Sequence, residues 1–316
     1  MTYKKEILFI GNDFDKFDHD ILFPIIRAMG VNIKRVHPSE ISVFFSTDSA
    51  TFYHDNEVLR PDLVVGWVFE DILHLGINIL EAFERNGVPV INKGHVLYCA
   101  QNKYINTAMM QAAGVPFPGA LSGKKLSFIR KHHRKFNFPL VIKPIIGFGG
   151  HGIHKIMDET ELFDLLESSS GEYYLQPFIN NPGRDIRIIC INHKVVNAIY
   201  RIAKDGEWIT NLSSGATPVY FEPSEELIKI AEKASLAAGT LYSGLDIIEC
   251  LAENNYQVLE VNSCPSTHYA YTNSDEEPRI LYYLADYLVQ AAHDYERAIN
   301  FWKPCNKAYI KVKESV

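Results

Sequence analysis

The chain has few cysteines, no long apolar run and no excess of basic charge, and each shortage removes a class of protein. Its five cysteines (Cys99, Cys190, Cys250, Cys264 and Cys305) are odd in number and form no CxxC pair or zinc-finger spacing. Neither a disulfide framework nor a structural zinc site is expected. The start, MTYKKEILFIGNDFD, turns acidic too early for a secretory signal, so we expect a reduced, cytoplasmic protein. The most apolar stretch, Asp62 to Leu80, is interrupted by Glu70, Asp71 and His74, and no segment offers the roughly 20 apolar residues that span a bilayer. With 31 Lys+Arg against 38 Asp+Glu the formal charge is -7, which leaves no global basic field to hold a nucleic acid. Any anionic ligand must be met by a local group of cations. Internal repeats and low-complexity segments are also missing.

What is present is ample for a core: 316 residues, 47% of them hydrophobic, which points to two or three packed units. EILFIGN (Glu6 to Asn12), an amphipathic stretch through Gly30 and the run VNIKRVH read as a βαβ beginning. DLVVGWV, a helix over Ile72 to Asn86 and a short strand before Ile91 and Asn92 extend it, predicting an open α/β domain over residues 1–95. Its first turn, Gly11-Asn12-Asp13-Phe14, lacks the further glycines a dinucleotide pyrophosphate needs. A helix over Gln101 to Ala113, stopped by Gly114 and Pro116, opens an α+β unit over residues 96–172. This unit contains a helix from Leu126 to Lys135, the strand PLVIKPI, a glycine loop, a strand from Ile153 to Met157 and a helix from Glu159 to Glu167. A third unit, residues 173–300, carries YYLQPFI, DIRIICIN and VVNAIYRIA, the last two joined by a turn at His193-Lys194, which predicts an antiparallel sheet. A helix from Ser224 to Ala238, strands over Leu245 to Leu251 and Tyr256 to Val261, and a helix from Pro278 to Ala292 complete it, and residues 301–316 are a tail.

Gly147-Phe148-Gly149-Gly150-His151-Gly152 matches GxGxxG, but it lies between two strands and no Lys-Ser/Thr pair follows it. It reads as a flap whose backbone approaches a triphosphate, or as a mobile surface hairpin. Lys143 stands four residues earlier in an apolar strand, where a phosphate would give an inward lysine a partner. Lys103, near the start of its helix, is informative only together with that flap. In LDIIECLAENNYQVLEVNSCP, Glu260 and Asn262 are two apart and share a strand face, and an adjacent strand would bring Asp246 beside them. Three oxygen ligands then converge, a set suited to Mg²⁺, while each acid taken singly reads as a solvated strand end. Asp185 and Arg187 alternate in phase and, with Arg201, either face one groove holding phosphate oxygens or form an ion pair among themselves.

In this order the parts resemble the ATP-grasp superfamily and, within it, the RimK-like carboxylate–amine ligases, over about residues 90 to 290. The resemblance implies an α/β chain with two α+β subdomains gripping ATP behind an N-terminal α/β domain. QNKYINTAMMQAAGVPFP is similar to the segment whose lysine meets the α-phosphate, implying that role for Lys103. PLVIKPIIGFGGHGI resembles the second lysine strand and flap, implying Lys143 on the α/β-phosphates and Gly147, Gly149, Gly150 and Gly152 over the triphosphate. YYLQPFI is similar to the hinge that reads adenine, implying Gln176, Pro177, Phe178 and Ile179 along the base. The following stretch implies a ribose or substrate role for Asp185, phosphate contacts for Arg187, and catalytic roles for Arg201 and Asn211. LDII and LEVNSCPS resemble the magnesium segments, implying Asp246, Glu260 and Asn262 as ligands of two Mg²⁺ ions, with Mn²⁺ able to substitute.

The implied reaction is ADP-forming amide synthesis through an acyl phosphate. An amino acid, glutamate first among the candidates, is added to an acceptor carboxylate on a small molecule, a coenzyme or a peptide tail. A homo-oligomer, dimer or tetramer, is within the family's habits; nucleic-acid and membrane partners are not expected. Two departures bear on the acceptor. Ser213-Ser214-Gly215-Ala216 stands where relatives place a cation before paired glycines, and Ser263-Cys264-Pro265-Ser266, followed by Thr267-His268-Tyr269, lacks the glycine common after the proline. No general base is identifiable, His151 and His268 being candidates only. Two other readings remain: an ATP-grasp-like kinase acting on a hydroxyl, and a non-catalytic nucleotide-binding protein, which the retained lysines and metal ligands argue against.

Overall fold

The computed structural model describes residues 4–12, 16–147, 151–168, 171–266 and 279–305. β1 (Glu6–Gly11), α1 (Lys16–Ala28) and β2 (Asn32–Val36) open the N-terminal domain, followed by β3 (Ser42–Phe45), β4 (Ala50–His54) and β5 (Glu57–Val58). β6 (Leu63–Trp67), α2 (Leu73–Arg85) and β7 (Val90–Ile91) complete it. The strands are ordered β2–β1–β6–β7, all parallel, and the apolar runs read from the sequence are buried on both faces as such sheets require. Leu8, Ile10 and Val64 pack on Ile79, Leu80 and Phe83 of α2. Ile7, Phe9 and Trp67 face Leu22, Ile25 and Ile26 of α1. The small antiparallel sheet β3–β4–β5 was not foreseen.

The helix expected over Gln101 to Ala113 is α4 (Lys103–Ala113), and an unforeseen α3 (Gly94–Gln101) precedes it. Between them Asn102 is extended, and its side chain accepts a bond from the Ile105 N–H at 3.1 Å, capping α4. β8 (Leu121–Gly123), α5 (Leu126–His132), β9 (Leu140–Pro144), β10 (His154–Ile156), α6 (Glu159–Ser168) and β11 (Tyr173–Pro177) follow. They form an antiparallel sheet ordered β10–β9–β11–β8 over its own core, which includes Ile129, Leu140, Leu162 and Leu175.

β12 (Arg184–Ile191), β13 (Lys194–Ile202), β14 (Thr217–Tyr220), α7 (Glu225–Ala238), β15 (Tyr242–Cys250) and β16 (Asn255–Asn262) build a five-stranded antiparallel sheet, ordered β14–β13–β12–β15–β16. The turn between β12 and β13 sits one residue earlier than expected, on Asn192 and His193, whose φ values of 47° and 60° suit a tight hairpin. One sheet face, with Ile186, Ile188, Ala198, Leu245, Ile247 and Val258, packs on Leu227, Ala231 and Ala234 of α7. The part of the other face around Asp185 and Arg187 is left for chemistry. α8 (Arg279–His293) and α9 (Tyr295–Phe301) close the chain, and α8 shares a core with both β1 and Ile189 and Ile191 of β12. Pro278, the expected start of α8, lies outside the described residues. Among those described, no helix is long and apolar enough to cross a membrane.

Candidate active site

Register sets a row of charge across the free face of the large sheet. Asp185 on β12 stands directly opposite Arg201 on β13, Arg187 opposite Asp246 on β15, and Asp246 opposite Glu260 on β16. Of the ion pairs considered among Asp185, Arg187 and Arg201, the one that forms is Asp185 with Arg201, not Asp185 with Arg187. Asp185 takes a bidentate contact from Arg201, at 2.8 and 2.5 Å, and a bond from the Thr210 hydroxyl at 2.6 Å. Arg187 Nε donates to Asp246 Oδ1 at 2.6 Å, while Arg201 also lies 3.0 Å from Asp246 Oδ2. Burial pushes the Asp246 carboxyl up, but Arg187 and Arg201 together outweigh it and hold the group below the usual carboxylate range. Asp185, which shares one guanidinium, is left above that range by its burial. Gly244 makes the approach of Arg187 possible: a Cβ there would lie 2.7 Å from Pro265 Cβ and 3.0 Å from an Arg187 guanidinium nitrogen.

A bulge adds one residue to the row. The pairing of β15 with β16 passes from Asp246–Glu260 to Ile247–Val258, leaving Leu259 extra. Val258 and Val261 stay in the core behind the sheet, whereas Leu259 and Glu260, though consecutive, both reach the cleft. Strict alternation hides this in the sequence.

That cleft, about 990 Å³, lies between the large sheet and the β9–β11 sheet. Val141, Ile153, Pro177, Phe178, Ile179, Trp208, Ile248 and Leu259 make one end apolar, while Lys103, Lys143, Asp185, Arg201, Asp246 and Glu260 make the other end charged. Gln176 lines it too, but its amide donates to the Tyr174 hydroxyl at 3.0 Å, and the Phe178 N–H donates to Pro139 O at 2.9 Å. Trp208, Thr210 and Leu259 were missed in the sequence. The one signal for the first two was their place in Trp208-Ile209-Thr210-Asn211, next to the asparagine that the resemblance singles out.

Lys103 Nζ lies 3.5 Å from Gly147 O and 3.5 Å from Glu260 Oε2. Lys143 forms no hydrogen bond or ion pair among the described residues. Burial pushes its ammonium below the ordinary 10.5, and the field of Glu260 restores only part of that loss. Gly147 and His151 line the cleft, and Gly152 packs beside Pro144. Phe148, Gly149 and Gly150 lie outside the described residues.

A second hollow, about 1080 Å³, adjoins the first and shares Lys103, Gly147, Arg201, Asn211, Asp246 and Glu260 with it. Its remaining lining includes Phe69 from the N-terminal domain, Arg187, Ser213, Asn262 and Cys264. Arg187 and Asn262 therefore face this side and not the apolar cleft. Thr267, His268 and Tyr269 lie outside the described residues.

Comparison with known proteins agrees with this architecture. A RimK-like ATP-grasp domain matches residues 100–284. The tetrahydromethanopterin:alpha-L-glutamate ligase of Methanosarcina acetivorans is 34% identical over 233 residues, 67% of this chain and 71% of that one. The alpha-aminoadipate–LysW ligase LysX of Saccharolobus solfataricus is 32% identical over 189 residues, 58% of this chain and 68% of that one. Among solved structures, ATP-grasp ligase PsnB complexed with minimal precursor superposes with a TM-score of 0.73, covering 92% of this chain and 100% of that one at 20% identity. The D-alanyl-alanine synthetase A of Vibrio cholerae gives 0.71, covering 93% and 99% at 16% identity. These superpositions carry the fold, two sheets gripping a cleft behind an α/β domain. The matched domain contains the whole row of acids and arginines, and the chain belongs to the RimK-like ATP-grasp family of ATP-dependent ligases.

Proposed function

We propose that the protein joins glutamate, through its amine, to an acceptor carboxylate while converting ATP to ADP and phosphate. The observation that carries this reading is the shared wall. Two hollows meet at Lys103, Arg201, Asn211, Asp246 and Glu260, so groups bound on either side come together there. One hollow has the apolar end that a base needs. The relatives named above are ligases, which leaves the kinase alternative without support.

The residues suit the cofactor. Asp246, Glu260 and the Asn262 amide offer hard oxygen donors, and all three line the second hollow. We assign them to two Mg²⁺ ions, with Mn²⁺ a workable replacement. Magnesium bound there would neutralise the charge that develops as a phosphoryl group is transferred. Phe178, Ile179, Trp208 and Leu259 enclose the base, with Asp185 beside the ribose. Lys103 and Lys143 hold phosphate oxygens, with Gly147 and His151 lining the same cleft. The acceptor carboxylate oxygen takes the γ-phosphoryl group and ADP leaves. The amine nitrogen then attacks the acyl carbon, phosphate departs with the C–O electrons, and the nitrogen loses a proton. Arg201, pinned between Asp185 and Asp246, presents a fixed positive charge at this junction, and Asn211 adds a polar contact.

The acidic side chain of glutamate needs a cation, and the position after Asn211-Leu212 has none. Lys204, two residues past the end of β13, lies across that turn: a Cβ on Gly215 would be 2.5 Å from its Nζ. With Arg187 and Arg201 it supports an acidic substrate. Incubation with ATP, Mg²⁺ and individual amino acids across a panel of carboxylate acceptors, with phosphate release and product mass as readouts, tests the proposal. Glutamate should give the amide product. Product from a neutral or basic amino acid, with none from glutamate, would sink it.

Lys143 gives a second expected outcome. Replacing it with methionine removes a half-buried cation with no hydrogen-bond or ion-pair partner among the described residues, so stability should hold or rise, whereas ATP affinity should fall about 10- to 100-fold. Lys103→Ala should weaken ATP comparably. The sign of the proton effect follows from the lowered pKa. The free protein sheds the Lys143 proton below 10.5, phosphates pull its pKa back up, and between those values ATP binding takes up a proton. Calorimetry at alkaline pH in buffers of different ionisation enthalpy should detect that uptake in the parent and lose it in Lys143→Met.

A further inference from the structure

Asn106 sits inside α4, one turn beyond Lys103, and is only 4% exposed. Asparagine is a poor residue for a helix interior, and burying its amide is costly unless the amide is bonded. Its Nδ2 donates twice, to Ala100 O at 3.0 Å and to Val261 O at 3.1 Å. Val261 is the residue between Glu260 and Asn262.

β16 is the edge strand of its sheet, so its outward carbonyls have no strand to receive them. Toward the site a side-chain amide from elsewhere in the chain meets one of them, Asn106 on Val261 O, and another, Asn92 Nδ2, meets Ser263 O just past the strand at 3.1 Å. The same side of α4 reaches the neighbouring groups. Lys103 Nζ approaches Glu260, and the Thr107 hydroxyl bonds the Tyr174 hydroxyl, which lies on the strand position opposite Lys143. One turn of α4 therefore holds the Glu260 side chain and the backbone just after it.

We propose that Asn106 is a positioning residue for the metal ligands, fixing the backbone between Glu260 and Asn262 and thereby the separation of those two side chains. Asn106 touches no reacting group itself. The inference rests on the assignment of Glu260 and Asn262 to metal, and the test separates the two.

Mn²⁺ binding to the full chain in the presence of ADP, read by electron paramagnetic resonance, needs no turnover. Asn106→Leu keeps the outline of the side chain and loses the donor, and it should bind Mn²⁺ about tenfold more weakly, the order lost when groups behind metal ligands are removed. ADP affinity in chelator should stay at the parent value. Asn106→Ser, which restores a short donor and guards against failure of the leucine variant to fold, should recover part of the loss. Parent-like Mn²⁺ affinity in Asn106→Leu, alongside its loss in Glu260→Gln, would overturn the role of Asn106 alone. Parent-like affinity in Glu260→Gln would overturn the metal assignment beneath it. A parallel fall in ADP and Mn²⁺ affinity would mark Asn106 as ordinary packing and overturn the proposal.

Discussion

Glu260→Gln is expected to lower turnover by about 10³-fold or more at saturating Mg²⁺ while the fold survives. The exchange keeps the side chain's outline and removes one charge from a half-buried position, so packing of the bulge at Leu259 is undisturbed. What is lost is chemical. Glu260 is the acid directly opposite Asp246, and Asp246 already answers two guanidiniums, so Glu260 is the carboxylate less committed to the protein. An amide in its place offers a neutral oxygen to a hard cation. It also removes a negative charge from the surroundings of Lys103 and Lys143, so ADP binding in chelator should not weaken. Steady-state rates across a magnesium titration check the first statement, and nucleotide affinity with chelator checks the second. Activity within about tenfold of the parent would remove Glu260 from the machinery.

Asn92→Ala is expected to cost about 3–5 kcal/mol of stability, near the upper end for a single substitution. Asn92 follows β7 and is 3% exposed. Its Nδ2 donates to Tyr242 O at 2.7 Å and to Ser263 O at 3.1 Å, and its Oδ1 accepts from the N–H groups of Leu241 and Tyr242 at 2.8 and 3.2 Å. A single amide thus joins the N-terminal domain to the first residue of β15 and to the end of the segment carrying Asn262. Alanine leaves two carbonyls and two N–H groups buried, and each unanswered group costs about 1–3 kcal/mol before any entering water offsets it. Denaturant unfolding followed by both tryptophan fluorescence and circular dichroism measures the loss. A change under about 1 kcal/mol would show that the domains are docked by apolar packing around α8 instead.

Much of the site was legible because its signals are local. The run PLVIKPI announces a strand from apolar content alone, and a lysine within it stands out whatever the strand pairs with. Period-two alternation puts Glu260 and Asn262 on one face without knowledge of their neighbour. The turn residues before β13 and the cap at Ser224 are equally local, and the boundaries there shift by no more than a residue. The resemblance then supplied roles that no periodicity contains.

What stayed hidden depends on partners distant in the chain. Alternation places Asp185 and Arg187 on one face, and an ion pair among them and Arg201 was one reading; cross-strand register selects Arg201, 16 residues on, for Asp185 and takes Arg187 to a partner outside that trio, Asp246, 59 residues on. The bulge that turns Leu259 inward is a mismatch between two strands, and neither strand encodes it separately. Asn92 and Asn106 read as ordinary polar residues beside a strand and within a helix, yet their acceptors on Ser263 and Val261 lie 171 and 155 residues away. Local pattern reports the shape an element prefers and the face it buries. Which buried polar group meets which is settled only when packing brings the elements together, because an unmet amide or carboxylate costs more than most apolar contacts return.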